Sequence, residues 1–351
     1  LRDITVEELV TGAEYIPVDV RSPIEHVEAS IPGSVNIPLF TNEERREIGI
    51  LYKNSGEMAA RWRAMEIVSP KLPELLGSLR DIENSGAVPV VHCWRGGMRS
   101  KAVATFLDYA GCQSFRLEGG YRAYREYILQ AIPRLIPDRS VILHGMTGTG
   151  KTDILHELQK EGLPVLDLEG MANHRGSLFG MIGTGEGYNQ KTFDALLFKR
   201  LLEIKGSQYF IMEAESKRIG RAVQPDAILE RKNSAMHIYI HSSVERRVER
   251  IMAEYVVPYK KQPWFKEEVL DKIRRIEKRL KNHQVITELE LAAVEEDYPT
   301  VIRILLEYYY DPRYRHALKD YDGKFIEMDG DVPNGITEKL KTHLLNSQIH
   351  A

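Results

Sequence analysis

Two cysteines, Cys93 and Cys112, are all that the 351 residues contain. So few exclude a disulfide scaffold and a cysteine-rich zinc site, and leave each sulfur to act as a single thiol. Long apolar runs are missing too. Stretches such as Val141-Ile142-Leu143 fall far short of the ~18 residues that span a bilayer, and the first residues show no basic-then-apolar export pattern. No membrane role is expected, and the cytoplasm is the expected compartment. Charge of one sign is also absent. With 48 Lys and Arg against 51 Asp and Glu, the formal net charge is −3. That excludes a uniformly basic nucleic-acid binder and leaves room only for a local patch. No internal repeat or low-complexity tract is evident.

What is present is an ordinary globular composition, 43% apolar and 28% charged, with length for about two domains at roughly 150 residues each. Strand-like Tyr15 to Val20 precedes a turn at Ile31-Pro32-Gly33, and strand-like Val88 to His92 runs into a glycine-rich loop, an α/β pattern. Ser100 to Ala110 has helical spacing, with Val103, Phe106 and Leu107 on one face and Gly111 as C-cap. The prolines of Ile132 to Asp138 suggest a linker, which puts the domains at 1–134 and 135–351. The second α/β series begins with a strand from Ser140 to His144 and a helix from Lys151 to Glu161. Further strands are expected at Pro164 to Leu168, Gln208 to Glu213, Met236 to His241 and Lys324 to Met328. Charged helices are expected from Ser243 to about Tyr310, as a helical C-terminal extension.

The first candidate site is His92-Cys93-Trp94-Arg95-Gly96-Gly97-Met98-Arg99-Ser100. A cysteine at a strand end, followed by two glycines and a helix start, can sit in a cup of inward-turned backbone N–H groups. Arg95 and Arg99 would favour the thiolate, which is the reactive form. Cys93 is therefore the candidate nucleophile, with Trp94, Gly96, Gly97 and Met98 forming the anion-binding loop, whereas Cys112 reads as structural. These residues, with Val18-Asp19-Val20-Arg21-Ser22-Pro23 and Ile31-Pro32-Gly33-Ser34-Val35-Asn36-Ile37-Pro38, resemble the rhodanese family, whose loop cysteine carries sulfur or selenium. The spacing from Cys93 to Arg99 is one residue longer than the usual rhodanese loop and also fits the cysteine-phosphatase pattern. Either the wider cup suits a tetrahedral oxyanion, or Gly97 is merely an insertion.

The second is Gly145-Met146-Thr147-Gly148-Thr149-Gly150-Lys151-Thr152, a phosphate loop between an expected strand and an expected helix. Gly145, Gly148, Thr149 and Gly150 would cradle a di- or triphosphate with their amides, Lys151 would reach the terminal phosphates, and the Thr152 hydroxyl would hold Mg²⁺. Glu213, Glu215 or Asp167, at the ends of later strands, could serve as the acidic partner, or be plain strand-end carboxylates. His174, Arg175, Ser177 and Gln190 are candidates for a substrate pocket, although such residues also make ordinary polar loops. From Glu245 to His283, twelve Lys and Arg face seven carboxylates. Tyr255, Tyr259, Trp264 and Phe265 lie among them, a pattern that suits either RNA phosphate contact with base stacking or a solvated helix face.

A rhodanese-like α/β domain followed by a P-loop NTPase-like α/β domain, carrying Cys-Trp-Arg-Gly-Gly-Met-Arg-Ser and Gly-Met-Thr-Gly-Thr-Gly-Lys-Thr, resembles the tRNA 2-selenouridine synthase family over nearly the whole chain. Glu118 to Arg125, His174 to Ser177 with Phe179-Gly180, and Glu213 to Gly220 add to the likeness. The resemblance implies a transferase that exchanges the sulfur of wobble 2-thiouridine, in the tRNA anticodon loop, for selenium from selenophosphate. It also implies an S-geranyl intermediate made with geranyl diphosphate. Cys93 would activate or carry selenium, Arg95 and Arg99 would hold the oxyanion, and Lys151 and Thr152 would stabilise departing pyrophosphate. No tightly bound cofactor is expected beyond these co-substrates and Mg²⁺. The rival is a rhodanese-type sulfurtransferase or cysteine phosphatase with a nucleotide-binding regulatory domain.

Overall fold

The computed structural model describes residues 2–175, 180, 182, 185–280, 282–318, 321, 324–331 and 335–346. The chain divides into two compact units, Leu1–Arg134 with Lys191–Lys199, and Leu135–Gln190 with Arg200–Ala351. The segment Lys191–Lys199 thus groups with the first unit, although it follows the phosphate loop in sequence. There Phe198 meets the rings of Tyr124 and Tyr127 edge-on, with centroids 6.2 and 6.0 Å away.

In the first unit, β1 (Arg2–Ile4), β2 (Tyr15–Asp19), β3 (Val35–Asn36), β4 (Val88–His92) and β5 (Phe115–Leu117) make a parallel sheet in the order β1-β5-β4-β2-β3. The apolar stretch Val88 to Val91 suits a central strand covered on both faces. Val18, Val91, Val103 and Leu107 are fully buried and tie the helix Met98–Tyr109 to the sheet. β2 and β4 are in register with Asp19 opposite His92, so both strands end at one edge. Open parallel sheets bind ligands beyond such carboxyl ends. The stretch read as a linker is different: the helix Gly120–Leu135 runs through Pro133. A proline in a last turn gives up only one helical hydrogen bond, while Ile128 and Ile132 stay buried.

In the second unit, β6 (Arg139–Gly145), β7 (Tyr209–Glu213), β10 (Met236–His241) and β11 (Phe325–Asp329) form a parallel sheet in the order β11-β10-β6-β7, and β8 (Arg218–Ile219) with β9 (Ala222–Val223) makes a small antiparallel hairpin. The helix Lys151–Lys160 packs Ile154, Leu155 and Leu158 into the core with Val141, Leu143 and Ile211. Pro164 to Leu168 is not a strand. Only a single bridge joins Val165 to Ile211, with Ile211 N–H donating to Pro164 O and Leu166 N–H to Ile211 O; Pro164 has no N–H to extend the ladder, and a helix already begins at Leu168. Beyond β10 come helices Val244–Ile251, Phe265–Glu277, His283–Val294, Tyr298–Leu305 and Asp311–Ala317, with π-turns at Met252–Val256 and Leu306–Tyr310. Among the described residues, no helix is long and apolar enough to cross a membrane.

Candidate active sites

Cys93 follows the last residue of β4, and the chain bends through Trp94, Arg95 and Gly96 before Gly97 opens the next helix. The bend is clamped from one side. Tyr121 N–H donates to Cys93 O and Arg122 N–H to Trp94 O, both at 2.9 Å. The clamp demands glycine at 120, where φ is +61° and a Cβ would stand 2.3 Å from Cys93 O. Gly96 adopts φ +63° for the same bend. A Cβ on Gly97, by contrast, would meet nothing within 4 Å.

The thiol is enclosed. Cys93 is 3% exposed, its Sγ lies 3.3 Å from Ser100 Oγ, and it shares an apolar cluster with Val18, Val91 and Val103. The sequence reading expected Arg95 and Arg99 to favour its thiolate, but Arg99 has another partner. Arg99 is bound to Glu25 at 2.6 and 3.3 Å, and Arg95 is exposed. Burial works to raise the Glu25 carboxyl, yet Arg99 and the Ser22 N–H hold it below the usual range. Trp94 is half-buried, 5.6 Å from the Tyr121 ring, and Met98 is exposed. A cleft beside the loop is lined by Trp94, Arg99, Arg45, Glu25 and Lys191. Cys112 is half-buried at the edge of the same core.

Under the loop lies a pair that the sequence reading did not single out as a site. Arg21 is 1% exposed and reaches Asp19 through Nε at 2.9 Å and Nη2 at 2.6 Å, and Nη2 also donates to Ala29 O at 2.7 Å. Its guanidinium stands 4.4 Å from the Tyr121 ring centroid, and His26 Nδ1 is 3.1 Å from Asp19. Burial pushes the Asp19 carboxyl up, but Arg21 outweighs it and brings it to about 2.

In the second unit the phosphate loop joins β6 to the helix Lys151–Lys160, with Gly148 and Gly150 at φ +80° and +84°. A Cβ on Gly145 would stand 2.7 Å from Thr149 Oγ1, and that hydroxyl donates to Met146 O at 3.0 Å. Lys151 is buried, with Nζ donating to Gly145 O at 3.1 Å and Met146 O at 3.4 Å. Thr152 Oγ1 donates to Glu213 Oε1 at 2.8 Å. Arg247 anchors the loop from outside: Nε donates to Thr147 O at 2.8 Å while its other nitrogens grip the buried Asp311.

Glu213 and Glu215 face this loop, as expected, but the third carboxylate is Glu169. One oxygen from each of the three lies within 4.8 Å of the others. Burial raises both the Glu213 and Glu215 carboxyls, Glu215 to about 7 with the Glu213 charge adding to the effect. Burial works against the Lys151 ammonium, yet Glu213 and the neighbouring groups hold its proton more firmly than usual. Asp167 is elsewhere employed, accepting the Gly170 N–H at 2.8 Å as a helix N-cap and pairing with His156 at 3.0 Å. N-cap preference is the sequence signal that would have set it aside. Tyr314, whose ring centroid is 5.8 Å from Lys151 Nζ, and Arg250 complete the cleft. No motif marks either residue.

Of the remaining candidates, Arg175 lines this cleft and pairs with Glu254 at 2.5 Å. Gln190 does not. Its amide is spent on Val223 N–H and O at 2.7 and 3.0 Å, which fixes the edge of β9. His174 is half-buried with its ring under Gly220, and Ser177 lies outside the described residues. The basic segment resolves largely into paired helix faces, with Arg246–Glu249, Lys272–Glu268 and Arg275–Asp271 joined along the helices. Phe265 is fully buried against Tyr298, so it is core and not a stacking platform.

Both units have matches among known families. A family model described as the tRNA 2-selenouridine synthase AAA domain matches residues 138–346, and a rhodanese-like domain model matches residues 5–127. The tRNA 2-selenouridine synthase of Pseudomonas fluorescens is 34% identical over 338 residues, covering 90% of this chain and 91% of its own. That of Pseudomonas syringae pv. syringae is 33% identical over 339 residues, with the same coverage. That of Sulfurovum sp. is 31% identical over 326 residues, covering 86% of this chain and 88% of its own. Since the likeness runs through the thiol loop and the phosphate loop together, on one chain and in one order, the chain belongs to the tRNA 2-selenouridine synthase family.

Proposed function

We propose that this enzyme replaces the sulfur of wobble 2-thiouridine in tRNA with selenium, in two steps divided between its two loops. The observation that carries the reading is that thiol loop and phosphate loop are both intact on a chain whose relatives over nine-tenths of its length are tRNA 2-selenouridine synthases. A thiocarbonyl is a poor leaving group. Alkylating its sulfur gives an isothiourea-like centre whose thiolate leaves readily, which splits one hard step into two easier ones.

In the first step the 2-thiouridine sulfur attacks C1 of geranyl diphosphate. A C–S bond forms, the C–O bond breaks, pyrophosphate leaves and the base loses its N3 proton. The amides of Gly148 to Thr152 and the Lys151 ammonium are placed to receive the charge that grows on the diphosphate. Mg²⁺ fits the hydroxyl of Thr152 and the carboxylates of Glu213, Glu215 and Glu169, a hard oxygen donor set. When bound, it would add neutralising charge at the diphosphate.

In the second step the selenium of selenophosphate adds at C2, the C–S bond breaks and geranylthiol departs, and water then cleaves the P–Se bond, releasing phosphate and leaving 2-selenouridine. Cys93 activates the selenium donor for this addition. Because its sulfur is covered, access requires the Trp94–Gly97 bend to shift, and the open side of Gly97 gives it room. Arg99 reaches an oxyanion only by leaving Glu25.

The test is mass analysis of nucleosides after incubation with 2-thiouridine tRNA, geranyl diphosphate and selenophosphate, each omitted in turn. Without selenophosphate the S-geranyl nucleoside should accumulate, and without geranyl diphosphate no selenium should enter. Selenation at full rate without the prenyl donor would overturn the two-step order. Cys93→Ala should let geranylated tRNA build up without selenium, and full selenation by that variant would remove Cys93 from the chemistry.

A further inference from the structure

A second cleft, of about 360 Å³, opens directly behind the phosphate loop. It shares Gly145, Lys151, Glu215 and Tyr314 with the loop's own cleft, so the two are continuous at the lysine. Away from that junction its walls are Ala214, Leu229, Leu318, Tyr239 and Tyr321. Asn233 and the hydroxyls of Tyr239, Tyr314 and Tyr321 also border it, and other polar side chains there are engaged with the protein. His144 Nε2 is 2.9 Å from His237 Nδ1, Ser216 Oγ donates to Arg218 O at 2.6 Å, and Lys232 Nζ donates to Glu215 O.

The space rewards apolar contact with these leucines and tyrosine rings. It favours a hydrocarbon chain attached to whatever phosphate the loop holds. We infer that this cleft houses the acyclic isoprenoid chain of the alkyl diphosphate, with Leu229, Leu318 and Tyr321 bounding its length and Tyr314 forming the wall at the turn from phosphate to chain. The inference rests on the phosphate loop holding the diphosphate of the prenyl donor.

The experiment is calorimetric titration of the full chain with inorganic pyrophosphate, geranyl diphosphate, farnesyl diphosphate and ATP. Geranyl diphosphate should bind at least about tenfold more tightly than pyrophosphate, since the chain takes apolar surface out of water. Leu229→Trp should fill the cleft and abolish that advantage while leaving pyrophosphate affinity unchanged. Leu229→Ala, which removes bulk from a half-buried wall and leaves the loop alone, should shift preference towards farnesyl diphosphate. Equal affinity for pyrophosphate and geranyl diphosphate, or a tail advantage untouched by both Leu229 variants, would overturn the assignment. So would ATP binding that Leu229→Trp blocks, which would give the cleft to a nucleotide base. Lys151→Ala separates the two readings. If it weakens pyrophosphate but no tail advantage exists, the loop reading stands and this inference falls. If pyrophosphate binding does not need Lys151, the loop reading itself falls.

Discussion

Thr152 Oγ1 lies 2.8 Å from Glu213 Oε1, so the hydroxyl that follows the loop lysine is tied to the carboxylate at the end of β7. On the proposed reading this bond sets where a metal ion or a diphosphate oxygen stands. Changing either partner should then misplace the diphosphate, and removing the Thr152 hydroxyl also leaves the buried Glu213 without its bond. Thr152→Val and Glu213→Gln are each expected to slow S-geranylation by about a hundredfold, the cost typical of losing one preorganised electrostatic contact. Single-turnover nucleoside analysis reads this directly, and unchanged geranylation in both variants would remove the pair from the first step.

The proposed division of labour turns on Lys151. Lys151→Ala should abolish geranylation while selenation of tRNA supplied already geranylated continues at close to the wild-type rate. The ammonium is buried on the Gly145 and Met146 carbonyls, so the truncation removes a positive charge from the cup and adds no clash. Loss of the second step alone would reverse the assignment of the two loops.

The thiol loop gives a contrast between neighbouring glycines. Gly120→Ala forces a Cβ against Cys93 O at a positive φ, so the first unit should lose about 1–3 kcal/mol and selenium transfer should fall with it. Gly97→Ala places its methyl in open space and should leave stability within about 0.5 kcal/mol of wild type. Thermal melts of the two variants, with a selenation assay on geranylated tRNA, decide this. A Gly120 variant as stable and active as wild type would show that the clamp on Cys93 O is dispensable.

Both motifs were legible in sequence because glycine spacing encodes backbone shape directly: Gly96 and Gly150 sit at positive φ where the loops need them. The helix after each loop, and most strands, followed from apolar periodicity. What failed was whatever depends on a distant partner. Arg99 reads as a phosphate ligand until Glu25, from much earlier in the chain, is beside it. Phe265 reads as a stacking aromatic until Tyr298 covers it, and Gln190 as a substrate ligand until β9 claims its amide. Glu169 and Tyr314 reach the site only through tertiary packing, so no local pattern could have named them.

His92, one residue before Cys93, makes the first unit sensitive to mild acid. It is fully buried, and neither ring nitrogen has a hydrogen-bond partner among the described residues. Burial disfavours the imidazolium, and the nearby Asp19 charge offsets only part of that, which leaves the group at about 4. Unfolded, it takes up a proton near 6.5. A depressed value in the folded state means that the stabilisation is complete above 6.5 and is lost as pH falls towards 4. At about 1.4 kcal/mol per pH unit, lowering the pH from 6.5 to 5 should cost the first unit about 2 kcal/mol. Asp19 does not contribute in this window, because its own loss begins only below its unfolded value of 3.8 and ends near 2. Amide hydrogen exchange in β4 reports the first unit separately from the second, where His144 is held down to about 3 in the same way. His92→Phe, a ring that cannot be protonated, should flatten the pH dependence in β4 while leaving that of β6 as it was. An unchanged slope in β4 would show that the acid sensitivity originates in another group.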